Sequence, residues 1–164
     1  MQYFAYGSNM DPARVRKRGI RYSQRRHATL KGYRLEFNKV ASRDPKEGYA
    51  NIVEYENGFV EGVFYDIEDS DLEKLDRHEG YPDHYRRVEV KVRLDNRQEV
   101  KAVTYVAQPD KVRYGLMPSR DYLNHLLTAR DVLSESYRRK LEIWQTLDER
   151  EGGLGNEVSE GFDG

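Results

Sequence analysis

Read as apolar and polar positions, the chain starts with an unbroken apolar run, Tyr3, Phe4, Ala5 and Tyr6, that stops at Gly7-Ser8-Asn9. Aromatic and small residues without alternation predict a short strand buried on both faces. Gly7 permits backbone angles, positive φ among them, that a tight turn out of that strand would use. Asp11-Pro12 then reads as a helix N-cap followed by proline at the first helical position, and Gly19 as the end of that short helix. His27 to Phe37 predicts a strand bent at Lys31-Gly32, with Leu30, Leu35 and Phe37 partly on alternation, and Asn38 to Ala50 reads as loop. Asn51 to Glu54 and Phe59 to Ile67 predict an antiparallel hairpin turning at Asn57-Gly58. Gly62, inside the second of these, marks a bulge or a close approach by another group.

Asp69 and Ser70 predict the cap of a helix that carries Leu72 and Leu75 inward and ends at Gly80. Val88, Val90, Val92 and Leu94 alternate along a strand from Tyr85 to Leu94, Asp95-Asn96 supplies a turn, and Glu99 to Ala107 returns. Pro118-Ser119 opens a helix with Tyr122, Leu123, Leu126 and Leu127 on one stripe, and Ser134 to Leu147 predicts another with Tyr137, Leu141 and Trp144 inward. The pattern is α+β: a small curved, mostly antiparallel sheet with flanking helices.

Composition narrows this picture. A chain of 164 residues, 37% hydrophobic, suits one domain with a modest core. That domain is expected over residues 1–147. Asp148 to Gly164 holds five glycines and six acids against one Arg, and is expected to be a flexible acidic tail. A formal charge of -1 offers no bulk attraction for nucleic acid or an anionic membrane. Seven of the thirteen residues from Arg14 to Arg26 are Lys or Arg, which leaves a nucleic-acid-associated role open. Tyr22 is the single aromatic there that could stack on a base, so a solvated basic face is the simpler reading. Cysteine is absent, which removes disulfides and thiol nucleophiles. No basic stretch followed by an apolar run opens the chain, and no apolar run is long enough to span a bilayer, so a cytoplasmic protein is expected.

Two stretches carry candidate chemistry. In Gly7-Ser8-Asn9, successive N–H groups between a strand end and a helix start can form a concavity for an anion. Asp76 to Tyr85 gathers Asp76, His78, Glu79 and His84 beside Tyr81 and Tyr85 at a helix end. His78 and His84 lack any recognised zinc spacing, so no metal is expected. A Gly-x-Ser-x-Gly elbow is missing, which argues against a serine hydrolase. Glu79 lies at the negative end of its helix, where a carboxylate is disfavoured, and this asks for another purpose.

Tyr3-Phe4-Ala5-Tyr6-Gly7-Ser8-Asn9-Met10 resembles the N-terminal signature of the gamma-glutamylcyclotransferase-like family (AIG2-like). Leu75-Asp76-x-x-Glu79-Gly80 with Tyr81-Pro82 and Tyr85 is similar to its second motif. Val60-Glu61-Gly62-Val63-Phe64-Tyr65, Thr104-Tyr105 and Pro118-Ser119-x-x-Tyr122-Leu123 extend the likeness to about Leu133. The resemblance implies a sheet closing toward a small barrel. It also implies cyclotransfer: a gamma-glutamyl amino acid or gamma-glutamylamine gives 5-oxoproline and a free amine. Glu79 would be the general acid/base, Gly7, Ser8 and Asn9 would bind the glutamyl end, and Tyr6, Tyr85 and Tyr105 would shape the pocket and donate hydrogen bonds. No cofactor enters, the partner is the small substrate, and the chain would be a monomer or homodimer. A non-catalytic binder of glutamyl-like metabolites is the alternative that keeps the loop without the chemistry.

Overall fold

The computed structural model describes residues 1–150. Five strands close into a barrel in the order β1-β3-β2-β4-β5. They are β1 (Gln2–Ala5), β2 (Tyr22–Val40), β3 (Gly48–Ile67), β4 (Tyr85–Leu94) and β5 (Glu99–Ala107). β1 pairs antiparallel with β3 and parallel with β5, with Tyr3 opposite both Tyr65 and Val103; the remaining pairings are antiparallel. Closure leaves β1 no free edge. The Thr104 hydroxyl seals the seam by donating to the Phe4 carbonyl at 2.8 Å. Tyr3, Phe4 and Ala5 are all buried, as an apolar run without alternation requires.

The expected hairpin at Asn57-Gly58 does not form. Gly48–Ile67 is one strand of 20 residues lying along a β2 of 19, and the loop expected from Asn38 to Ala50 shrinks to residues 41–47. A two-residue hairpin turn of the Asn-Gly type needs positive φ at both central positions, and neither Asn57 nor Gly58 has it. Instead the register passes from Lys31 opposite Phe59 to Tyr33 opposite Glu54, so residues 55–58 bulge opposite Gly32, whose φ is +85°. Gly58 is needed there for proximity: a Cβ would lie 2.4 Å from the Tyr33 carbonyl oxygen. The bend at Gly32 also switches the inward parity of β2, from Ala28 and Leu30 before it to Leu35, Phe37 and Lys39 after it. Gly62 behaves as anticipated, since a Cβ would stand 2.4 Å from the Ala5 carbonyl oxygen as β1 crosses it.

Helices flank the barrel. In α1 (Pro12–Lys17) the Asp11 side chain caps the Ala13 N–H at 3.0 Å, and Gly19 follows at φ +77°. α2 (Leu72–Glu79) ends at Gly80 in the left-handed region, φ 67°. Asp69 and Ser70 do not cap it; they lie in a preceding 3₁₀ turn, Asp69–Asp71. Asp71 holds the cap position, and its carboxylate accepts from the Arg21 N–H at 2.8 Å. Ser119 and Ser134 cap α3 (Arg120–Leu127) and α4 (Glu135–Glu142) through their hydroxyls. α4 stops short of the expected Leu147, because Ile143 faces water, 84% exposed, and could not continue a buried stripe. Trp144 still packs edge-on against Phe37, with ring centroids 4.8 Å apart.

A short α5 (Leu147–Arg150) follows, in which Asp148 accepts from the Arg120 N–H and Glu149 pairs with its guanidinium at 2.7 Å. The rest of the expected acidic tail, to Gly164, lies outside the described residues. The basic stretch is largely turned to the chain's own acceptors: Arg21 pairs with Asp71, Arg25 with Asp131, and Arg18 donates to Asn9. Among the described residues no helix is long and apolar enough to cross a membrane.

Candidate active site

Glu79 reaches the interior because of its place on α2. Leu75 lies one helical turn earlier and is fully buried, so the residue four positions on shares its inward face. Glu79 is 1% exposed. Its Oε1 accepts from the Asn9 side-chain amide at 3.0 Å, while Oε2, also buried, has no hydrogen-bond partner among the described residues. Burial pushes its pKa up to about 7; the cationic Arg18, Lys39 and Arg14 oppose that rise and Asp76 adds to it. The carboxyl is therefore poised to exchange a proton near neutral pH.

Asn9 is the residue that fastens the first loop to α2. Its Nδ2 also lies 3.1 Å from the Tyr3 hydroxyl, its Oδ1 accepts from Arg18 at 2.7 Å, and its carbonyl accepts from Tyr65 at 2.8 Å. Ser8–Met10 form a single 3₁₀ turn closed by the Met10 N–H on the Gly7 carbonyl at 3.0 Å, with Ser8 and Asn9 fully buried. Gly7 takes φ -111° and ψ -139°, outside the strand and helix regions, so the turn uses its freedom without a positive φ. The 3₁₀ turn begins one residue later, and this tightens the chain without the left-handed step.

Tyr6, Tyr85 and Tyr105 are buried around this centre, but their hydroxyl protons are committed within the protein. Tyr6 donates to the Tyr105 carbonyl, Tyr85 to the Ala50 carbonyl at 2.9 Å, and Tyr105 to Asp76 at 2.5 Å. Burial raises all three phenol pKa values, with the Glu79 charge adding to the effect, so each stays neutral. Their rings wall the interior, and toward a substrate each oxygen is left as an acceptor. Tyr122 on α3 completes the wall: its hydroxyl accepts from the Ala50 N–H at 3.0 Å and its ring stacks on Tyr49 at 4.9 Å.

Sequence reading missed Lys39. Its side chain is fully buried, with Nζ 5.5 Å from the Tyr49 ring centroid and 5.6 Å from that of Tyr85. The signal was present: Leu35, Phe37 and Lys39 alternate after the Gly32 bend, so a lysine occupies a position where the strand's pattern demands an apolar residue. His78 and His84 do not join into a ligand pair with acids, and no three His, Asp or Glu side chains among the described residues converge in a metal-binding arrangement.

Comparison with known proteins places the chain among relatives of known family. The family model described as gamma-glutamyl cyclotransferase, AIG2-like, matches residues 3–124. The chain is similar to the Methanocaldococcus jannaschii protein named "Putative gamma-glutamylcyclotransferase MJ1514"; identity is 37% over 62 residues, 35% of this chain and 52% of that relative. The match thus spans about half of the relative's length. Among solved structures, one titled gamma-glutamyl cyclotransferase superposes with a TM-score of 0.82 at 26% identity, covering 98% of this chain and 94% of the other. The human protein loc79017, titled uncharacterized, superposes at 0.81 and 26% identity, covering 97% and 93%. With its closed barrel, its β1 loop and its buried helix-end glutamate, this chain belongs to the gamma-glutamyl cyclotransferase, AIG2-like family.

Proposed function

We propose that the chain is a cyclotransferase that converts a gamma-glutamyl amino acid or gamma-glutamylamine to 5-oxoproline and a free amine, in the cytoplasm and without a cofactor. The observation that carries this reading is Glu79, a buried carboxyl with one oxygen held by Asn9 and the other without a partner among the described residues.

The substrate brings its own nucleophile, so the protein has to orient it and move protons. A tethered, well-oriented attack reaches effective molarities of about 10⁵–10⁸ M. Glu79 takes a proton from the substrate's α-ammonium, and the freed amine attacks the δ-carbonyl to form the ring C–N bond. Glu79 then passes that proton to the departing nitrogen as the original C–N bond breaks. It collects the ring nitrogen's surplus proton, which leaves with the product amine as ammonium. A pKa about 7 lets one carboxyl serve both as base and as acid. The Gly7-Ser8-Asn9 loop takes the glutamyl end or the developing oxyanion, and Tyr6, Tyr85 and Tyr105 set the rotamer in which amine and carbonyl meet.

The test is release of 5-oxoproline from a panel of gamma-glutamyl dipeptides, glutathione and gamma-glutamyl-lysine by the full chain and by Glu79→Gln. Turnover is expected for at least one compound, with a loss of at least about 10²-fold in the variant. No release from any compound, or full release by folded Glu79→Gln, would overturn the reading and leave a glutamyl-metabolite binder in its place.

A further inference from the structure

Six Asp, Glu or Lys side chains are buried among the described residues: Asp11, Lys39, Glu47, Glu61, Asp71 and Glu79. Four of them have polar or charged side-chain partners. Asp11 lies 2.9 Å from His125, Glu47 takes the Arg43 guanidinium on both oxygens, Glu61 takes His27 and Ser134, and Asp71 takes Arg21 and Lys74. The other two each keep a buried polar atom with no hydrogen-bond partner: Glu79 Oε2 and Lys39 Nζ. These two are linked through Tyr85 and through each other's charge. Lys39 Nζ sits near the Tyr85 ring, and the charge of Glu79 acts both on the Tyr85 phenol and on the Lys39 ammonium.

A buried ammonium with no hydrogen-bond acceptor is costly, and the faces of Tyr49 and Tyr85 offset only part of that cost. Neither ring accepts the three N–H donors in the way an oxygen does. An apolar side chain at this point of the Leu35, Phe37, Lys39 alternation would pack without penalty, so stability alone gives no reason for a lysine. A ligand that reaches both atoms would offer a positive group to Glu79 and a negative group to Lys39. A gamma-glutamyl substrate has an ammonium and at least one carboxylate, and it satisfies both orphan atoms at once.

We infer that Lys39 binds a carboxylate of the substrate inside the barrel, opposite the ammonium that meets Glu79. The inference rests on the proposed function for the identity of the ligand. Two carboxylates have the required chemistry: the α-carboxylate of the glutamyl group, and the carboxylate of a leaving amino acid. The first would make Lys39 a reader of the amino-acid head group. The second would make it the residue that favours gamma-glutamyl amino acids over simple gamma-glutamylamines.

Lys39→Met tests this, because methionine keeps the length and apolar stem while removing the charge. Three ligands separate the sources: gamma-glutamyl-alanine with both carboxylates, gamma-glutamyl-ethylamide with only the α-carboxylate, and 4-aminobutanoyl-alanine with only that of the leaving group. Binding is measured by calorimetry in a Glu79→Gln background, with and without Lys39→Met, so that it is read without turnover. Release of alanine or ethylamine is measured separately in chains that keep Glu79.

Lys39→Met is expected to melt at or above its parent, since a buried charge has been removed. Affinity for gamma-glutamyl-alanine should fall about 10- to 100-fold, the scale of one charge-assisted hydrogen bond. The same loss for just one of the two single-carboxylate ligands, with the other unchanged, identifies which carboxylate Lys39 holds. Equal weakening of all three, no weakening of any, or a variant that melts well below its parent would overturn the inference. Absence of turnover in every chain, with Lys39-dependent binding intact, would overturn the cyclotransferase reading and leave the carboxylate site standing.

Discussion

At the residue scale the governing fact is a carboxyl placed where water cannot solvate it. Below its ordinary pKa of 4.5, Glu79 is protonated in the folded and unfolded chain alike. Between there and about 7 the folded chain keeps a proton that the unfolded chain releases, so stability declines as pH rises through that window. Glu79→Gln is neutral throughout. It should melt above wild type at pH 8, by the equivalent of about 3 kcal/mol at most, with the gap closing toward pH 5 in scanning calorimetry. In the wild type, kcat/KM for a turned-over substrate should climb through pH about 7 as the base form appears. Asn9→Ala removes the amide that steadies the ionised carboxylate. Its ascending limb should move to higher pH and its rate near pH 7 should fall about tenfold, whereas a purely structural role would leave the limb in place. Glu79 and the Gly7-Ser8-Asn9 loop were singled out in the sequence by their likeness to two family motifs, and the structure joins them through the Asn9 side chain. Lys39 was overlooked because the strand was expected to end at Phe37, one step before the Leu35, Phe37, Lys39 alternation completes.

At the element scale, glycine meant different things at different positions. Gly80 ends α2 in the left-handed region, which a helix stop signal announces locally. Gly58 looked like half of a hairpin turn, but it serves the close passage of two long strands, a requirement set by β2 rather than by its own neighbours. Gly62 lets β3 lie close against the β1 backbone. Gly62→Ala should cost about 1–3 kcal/mol, read by urea unfolding, because the nearest obstruction is a carbonyl of the backbone rather than the tip of a movable side chain. An unchanged midpoint would mean that β1 can slide away from β3 without loss, against the register in which Ala5 opposes Val63. Helix starts were the easier elements to read. Asp11, Ser119 and Ser134 cap through bonds to N–H groups two or three residues away, so their chemistry is contained in a few consecutive positions.

At the scale of the whole molecule, closure decides the site, since it brings residues 9, 39, 79, 85 and 105 around one interior. The acidic segment after Arg150 is proposed to be dispensable for this. Deleting residues 151–164 should leave melting temperature and turnover within experimental error, while Arg120→Ala, which removes the pairing with Glu149 in α5, tests the retained end separately. A large loss on deletion would show that Leu154 or Phe162 docks on the barrel. By itself the sequence determined the class of the fold, the caps of α1, α3 and α4 and the bounds of β4 and β5. Those properties rest on capping, alternation and residue type within short windows. Only the tertiary structure decided that β3 is one strand, that Asn9 acts through its side chain, that the tyrosine hydroxyls face the protein, and that Lys39 is buried against Tyr49 and Tyr85. Each of these depends on what lies opposite in space, and pairings across tens of residues leave no local periodicity to read.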